Sequence, residues 1–101
     1  MSTRATIKIS DNHQGFYIYR GSDGMPENVL PDIQEVLAKI KGRWSEPEPE
    51  LVVTAFLTLK WDFNKERIPD YMITSNFHGD ESYDYYIKWD DIKKDWIFYY
   101  H

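Results

Sequence analysis

Leu51-Val52-Val53-Thr54-Ala55-Phe56-Leu57-Thr58-Leu59-Lys60-Trp61-Asp62-Phe63 is the stretch on which the fold class turns. Its valines and threonines favour a strand, because β-branched side chains sit well on a pleated surface. Its spacing favours a helix: Val52, Ala55, Phe56, Leu59 and Phe63 fall on one stripe. The three glutamates just before it, Glu46, Glu48 and Glu50, suit the positive end of a helix dipole. Both readings stand on the sequence, and the helix is the one taken here.

Working back from it, Ser45-Glu46-Pro47-Glu48-Pro49-Glu50 is an acidic connector. Before the connector, Leu30, Ile33, Val36, Leu37 and Ile40 recur at helical spacing, and Lys39, Lys41 and Gly42 mark a helix end. Pro26 and Glu27 suit a first helical turn. Pro31 predicts a short turn over residues 26–30, with the main helix starting at Pro31 itself. Nearer the start, residues 3–10 alternate. Ala5, Ile7 and Ile9 share one face, with Arg4, Thr6 and Lys8 on the other, the period of a half-buried strand. Asp11-Asn12-His13-Gln14-Gly15 has turn chemistry. Phe16-Tyr17-Ile18-Tyr19-Arg20 then completes a hairpin, and Gly21-Ser22-Asp23-Gly24 breaks it.

Working forward, residues 64–69 read as a polar loop and residues 71–77 as a strand. Gly79-Asp80-Glu81 turns the chain. Across residues 82–89, Tyr83, Tyr85, Ile87 and Trp89 alternate with Asp84, Tyr86 and Lys88. A turn over residues 90–95 leads to a last strand, residues 96–101. The order β-β-α-α-β-β-β in one domain, residues 1–101, predicts an α+β fold: a mostly antiparallel sheet with helices packed on one face. Trp96-Ile97-Phe98-Tyr99-Tyr100 is apolar or aromatic on both faces. That suits a central strand covered on both sides, or one that meets a partner, and it makes a homodimer one expectation.

The chain of 101 residues has no cysteine, which excludes disulfides, thiolate zinc sites and cysteine nucleophiles. The start lacks the apolar core of a secretory signal. The longest apolar stretch falls well short of the roughly 20 residues that span a bilayer. A soluble, cytoplasmic protein with no membrane partner is expected. Net charge is −5. Residues 1–50 carry 8 acids and 6 bases, and residues 51–101 carry 9 acids and 6 bases. Neither half offers the basic surface that phosphate contacts require, so direct nucleic-acid binding is not expected.

No constellation reads as catalytic. His78, with Asp80, Glu81 and Asp84, has a metal-like composition but no zinc spacing, and a solvated turn explains it. His13 and His101 stand apart. Ser22 lacks the strand–turn–helix setting of a nucleophile elbow. The glycines are isolated at turns, so no phosphate loop exists. The carboxylate pairs Asp80/Glu81 and Asp90/Asp91 sit in turns. The chain is read as a non-enzyme with no cofactor and no metal.

Aromatic residues are 17% of the chain, including eight tyrosines and four tryptophans, more than a core this small hides easily. Asp80, Glu81, Asp84, Asp90 and Asp91 interleave with Tyr83, Tyr85, Tyr86 and Trp89. The residues expected to meet a partner are Asp80, Glu81, Tyr83, Asp84, Tyr86, Trp89, Asp90, Asp91 and Tyr99, the partner being a host protein with a basic surface. The alternative is a small, nucleotide-like ligand held by Tyr17, Tyr19, Arg20 and Asp23, with tyrosine stacking and the planar donors of arginine.

Ser2-Thr3-Arg4-Ala5-Thr6-Ile7, together with Phe16-Tyr17-Ile18-Tyr19-Arg20 leading into Asp23-Gly24-Met25-Pro26-Glu27, resembles a group of small phage, prophage and bacterial proteins of unknown function. These open with Ser-Thr-Arg and a short strand, then carry an aromatic strand, Asp-Gly-x-Pro-Glu and a helix. The likeness covers about the first 40 residues. Those proteins often have His at the position of Arg20 or the one after it; this chain has Arg20 and Gly21. The resemblance implies a mobile-element origin, a bacterial host cell, and a host-directed interaction protein such as an inhibitor of a defence system.

Overall fold

A computed structural model describes residues 3–41, 47–59 and 70–101. Within them lie β1 (Ala5–Ser10), β2 (Gly15–Arg20), α1 (Pro26–Ile40), α2 (Pro49–Thr58), β3 (Met72–Thr74), β4 (Tyr83–Asp90) and β5 (Asp95–Tyr100). The predicted order of elements holds. The strands form one sheet in the order β3-β2-β1-β4-β5.

The sheet is mostly antiparallel, as expected, with one parallel pair. β1–β2, β2–β3 and β4–β5 pair antiparallel, but β1 and β4 run parallel, with Ile7 beside Tyr85 and Ile9 beside Ile87. The connection between β3 and β4 is the cause. β3 lies outside β2 on one side of β1, and β4 lies on the other side. Residues 75–82 therefore cross the sheet, and β4 enters in the direction of β1.

α1 buries Val29, Ile33 and Val36, one stripe at helical spacing, against the sheet. It runs unbroken through Pro31, where a separate turn was expected. Proline at this position removes the bond from its own nitrogen to the Glu27 carbonyl. Both residues lie on the exposed side of the helix, where that carbonyl can turn to water. Lys41 N–H closes the helix on the Leu37 carbonyl at 3.1 Å, while Gly42 lies outside the described residues.

α2 settles the ambiguous stretch as helix. Val52 and Phe56 are fully buried and Leu59 nearly so. The threonines that argued for a strand are exposed. Thr54 and Thr58 donate their hydroxyls to the carbonyls four residues back, Glu50 at 2.8 Å and Thr54 at 3.0 Å, so their polar atoms stay satisfied within a helix. Residues 60–63, the end of the expected helix, and the expected loop over 64–69 lie outside the described residues.

β3 stops at Thr74, three residues short of the predicted end. The Asn76 side chain accepts the Phe77 N–H at 2.8 Å, a local turn that competes with the ladder.

The core lies between the helices and one sheet face: Ala5, Ile7, Ile9, Ile18, Tyr85 and Ile87 below, Val29, Ile33, Val36, Val52 and Phe56 above. Gly24, in the loop between β2 and α1, packs against β1. A Cβ on it would fall 2.7 Å from the Ala5 Cβ. Its N–H donates to the Thr3 carbonyl at 2.9 Å, and its carbonyl accepts the buried Tyr85 hydroxyl at 2.7 Å.

Candidate functional site

The alternation along β4 and β5 assigns the aromatics to two surfaces. Tyr83, Tyr85, Trp89, Trp96 and Tyr100 share the helix side, where Trp89 meets Trp96 edge-on at 5.4 Å and Tyr83 meets Tyr100 at 6.1 Å. Asp84, Tyr86, Tyr99 and His101 occupy the opposite, helix-free face. The expected partner-binding set is thereby divided: Tyr83 and Trp89 lie on one side of the sheet, and Asp84, Tyr86 and Tyr99 on the other.

On the helix-free face Tyr86 and Tyr99 stack at 5.0 Å with their planes 15° apart. The His101 ring stands edge-on to both, at 5.5 and 5.9 Å. Phe77, delivered by the crossing segment, bridges Tyr17 at 5.2 Å and Tyr86 at 5.8 Å. Tyr99 is 42% exposed. The result is a continuous ring-bearing row, open to water along β5 and closed by Phe77 towards β2.

Acids border this row. Glu81 is held firmly: it accepts the Thr6 hydroxyl at 3.1 Å, the His78 N–H at 3.1 Å and the Gly79 N–H at 3.1 Å. Gly79 has φ +87, a conformation that glycine adopts freely. Asp84, beside Thr6 in the ladder, is different. Among the described residues, its Oδ1 is the buried side-chain polar atom with no hydrogen-bond partner. Removal from water pushes its carboxyl above the ordinary aspartate value. The hydrogen bond with Glu81 and that residue's negative charge push the same way, and His101 acts against them. Removal from water, then the charge of Asp84, also raises the Tyr86 hydroxyl.

The remaining expected acids are committed locally. Asp80 pairs with Arg4 at 2.8 Å, an exposed ion pair. Asp90 accepts the N–H groups of Ile92 and Lys93 at 2.9 and 3.1 Å, which builds the β4–β5 turn. Asp91 accepts the Trp89 indole N–H at 3.0 Å and the Asn12 side-chain amide.

The four residues of the small-ligand alternative line no common cavity. Tyr17 and Tyr19 face the helix-free side, where Phe77 covers the first and His78 stacks on the second at 3.6 Å. Arg20 points to the helix side. It donates to Asp32 at 3.2 Å, to the Tyr71 hydroxyl at 3.1 Å and to the Ser22 carbonyl at 2.8 Å. Tyr71 donates in turn to Asp32 at 2.7 Å. Asp23 holds the turn, with φ 55 and its carbonyl accepting from Asn28 at 3.1 Å.

Sequence reasoning did not assign Phe77, Thr6 or His101 to the site. The crossing connection brings Phe77 onto the face, and the parallel β1–β4 pairing brings Thr6 beside Asp84; neither has a local sequence signal. The turn residues Asn76 and Gly79 flanking Phe77 are the trace that could have separated it from the preceding strand.

Among the described residues no group of three or more His, Asp or Glu side chains is placed to hold a metal ion, and no helix is long and apolar enough to cross a membrane. Comparison with family models, with curated proteins and with solved structures gives no match.

Proposed function

We propose that this chain is a non-enzymatic interaction protein that captures a basic segment of a host macromolecule on its helix-free face. The observation that carries the reading is the stacked pair Tyr86/Tyr99 beside a carboxylate, Asp84, whose buried Oδ1 has no donor. Aromatic faces attract guanidinium and ammonium groups, worth about 0.5–2 kcal/mol per contact. A cation seated on Tyr99 and Tyr86 brings a positive charge beside Asp84 and favours its ionised form. The N-terminal resemblance to phage and prophage proteins supports a bacterial host cell as the setting and blockade of a host protein's basic groove as the role. The site comprises Tyr86, Tyr99, Asp84, Glu81, Phe77 and His101; Asp80, Asp90 and Asp91 add to the negative field around it.

The test is titration with an arginine-rich peptide, followed by tryptophan and tyrosine fluorescence. Affinity falls as salt rises, because exposed charges are screened. It also falls on acidification through the raised titration of Asp84, since the cation and the proton compete for one carboxylate. Tyr99→Ala weakens binding about tenfold, equivalent to about 1.4 kcal/mol. Affinity indifferent to both salt and Tyr99→Ala would reject the reading.

A second reading rests on a separate cavity of about 360 Å³ on the helix side, bordered by Trp89, Trp96, Lys41, Lys93, Lys94 and Leu37. Its size falls within the range of small-molecule sites. Its two indoles and three ammonium groups, set against the carboxylates of Glu48 and Asp95, suit a flat ligand that carries both a stacking ring and polar groups, such as a nucleotide. Lys94 takes φ 54, a conformation glycine would hold more cheaply. A nucleotide that raises the melting temperature and quenches the indoles supports this site; a screen without either effect rejects it.

A further inference from the structure

Among the described residues β5 ends the sheet with one side unpaired. Its neighbour β4 uses the other side: Asp84 and His101 exchange both backbone bonds, at 3.2 and 2.9 Å. In an antiparallel ladder, hydrogen-bonded and non-bonded pairs alternate. Ile97 and Tyr99 therefore also direct their backbone groups towards β4, and Trp96, Phe98 and Tyr100 direct theirs to the free edge. This edge has none of the usual safeguards. It contains no proline, no lysine and no bulge across Trp96, Ile97, Phe98, Tyr99 and Tyr100. The opposite edge, β3, is only three residues long.

The sequence of this edge is self-complementary about Phe98. Asp95 and His101 lie three residues before and after it, Trp96 and Tyr100 two, Ile97 and Tyr99 one. We infer that β5 pairs antiparallel with β5 of a second copy, with the twofold axis through Phe98, giving one continuous ten-stranded sheet. In this register Trp96 meets Tyr100 of the other copy, Phe98 meets Phe98, and each outward backbone group finds a partner. Aromatic cross-strand pairs of this kind stabilise antiparallel ladders. Asp95 comes opposite His101 of the other copy, an acid against a base, once on each side of the axis. Asp95 at present accepts the Trp96 N–H at 2.8 Å; pairing replaces that bond with a ladder bond and releases the carboxylate for His101. On the helix side, a groove of about 270 Å³ between α1 and β5, bordered by Gln34, Leu37, Ala38, Trp96 and Phe98, lies beside the edge and can receive the incoming Tyr100 ring. An isologous contact of this form closes on itself as a dimer.

The inference is independent of the proposed binding role and is tested without any ligand. Sedimentation equilibrium of the wild-type chain gives a dimer that dissociates on dilution. Because the chain has no cysteine, single introduced thiols report the register cleanly. Phe98→Cys, on the axis, oxidises to a disulfide-linked dimer, since facing residues of an antiparallel pair lie within disulfide reach. Ile92→Cys, 94% exposed at the hairpin tip, does not. Tyr100→Pro removes only an N–H that faces the free edge, so it leaves a folded monomer. Asp95→Lys weakens the dimer of the order of fivefold, and adding His101→Glu restores it. A wild-type chain that stays monomeric at millimolar concentration overturns the inference. Cross-linking of the two cysteine variants at equal rates does so as well, as do species that grow beyond two copies.

Discussion

Asp84 is held in the fold at a cost. Its carboxyl is drawn out of water next to Glu81, so the folded chain favours the protonated form more than the unfolded chain does. A raised folded-state value means that the stability associated with protonation is present at low pH and lost as pH rises through that value. Asp84→Asn, which keeps the shape and removes the charge, is therefore expected to melt higher than wild type at pH 7. The difference should vanish below about pH 3.9, where aspartate is protonated in both states. The same substitution should weaken binding of the arginine-rich peptide. Gain in stability with loss of binding is the signature of a carboxylate kept for a partner; a variant that loses both has only a structural role. Arg20 presents the opposite case. Its guanidinium and the Asp32 carboxylate are both largely buried, 12% and 8% exposed at the side chain, and Tyr71 ties them together. Asp32→Ala removes the hydrogen-bonded carboxylate from a largely buried cation on which Asp70 also acts, and should cost about 3 kcal/mol in denaturant melts. Tyr71→Phe keeps the ion pair, loses one hydroxyl, and should cost about 1 kcal/mol. Equal losses from the two variants would show that Arg20 depends on the hydroxyl as much as on the charge.

Among the elements, the loop between β2 and α1 carries more of the architecture than its length suggests. Gly24 lies so close to Ala5 that a methyl group has no room unless β1 or the loop moves. Gly24→Ala should therefore destabilise by about 1–3 kcal/mol, as overpacked sites do, and the loss should be visible as a lower urea midpoint with an unchanged slope. An unchanged midpoint would mean that the loop yields freely. This close approach was not readable in the sequence, where Gly24 looked only like a strand breaker. The local elements were readable for a physical reason. The β1–β2 hairpin has alternating faces and Asp11, whose side chain accepts the N–H groups of His13 and Gln14 at 2.8 Å each. α1 has its apolar stripe, and β4 has strict alternation. What failed were decisions that depend on distant surroundings. Pro31 suggests a break, but on the exposed side of the helix the one lost bond is tolerated. Residues 75–77 were given a strand that Asn76 turns aside. The candidate site suffered most: alternation along β4 already divides Tyr83 and Trp89 from Asp84 and Tyr86, but only the closed sheet shows that Phe77 and Glu81 cross over to join the second group.

At the scale of the whole molecule, β1 is the element that makes one body of two hairpins. It pairs with β2, close in sequence, and with β4, whose Tyr83 lies 78 positions after Ala5. The second pairing has no local signal, because closing so long a loop is driven by tertiary burial rather than by turn residues. Ala5, Ile7 and Ile9 are 0–1% exposed, sharing the layer with Ile18 from one hairpin and with Tyr85 and Ile87 from the other. The β4–β5 hairpin cannot bury its apolar face without β1, so it should not unfold separately from the β1–β2 hairpin. Ile7→Ala truncates the centre of this layer and should cost about 3 kcal/mol, a large share of the 5–15 kcal/mol that typically holds a domain together. Far-ultraviolet dichroism reports α1 and α2, while the fluorescence of Trp89 and Trp96, read in a background carrying Trp44→Phe and Trp61→Phe, reports the β4–β5 hairpin. In that background, with and without Ile7→Ala, the two signals should trace a single urea transition, shifted together in the variant. Fluorescence that holds its midpoint while the helices melt earlier would show that the C-terminal hairpin stands without β1, and that the parallel pairing joins two units instead of completing one.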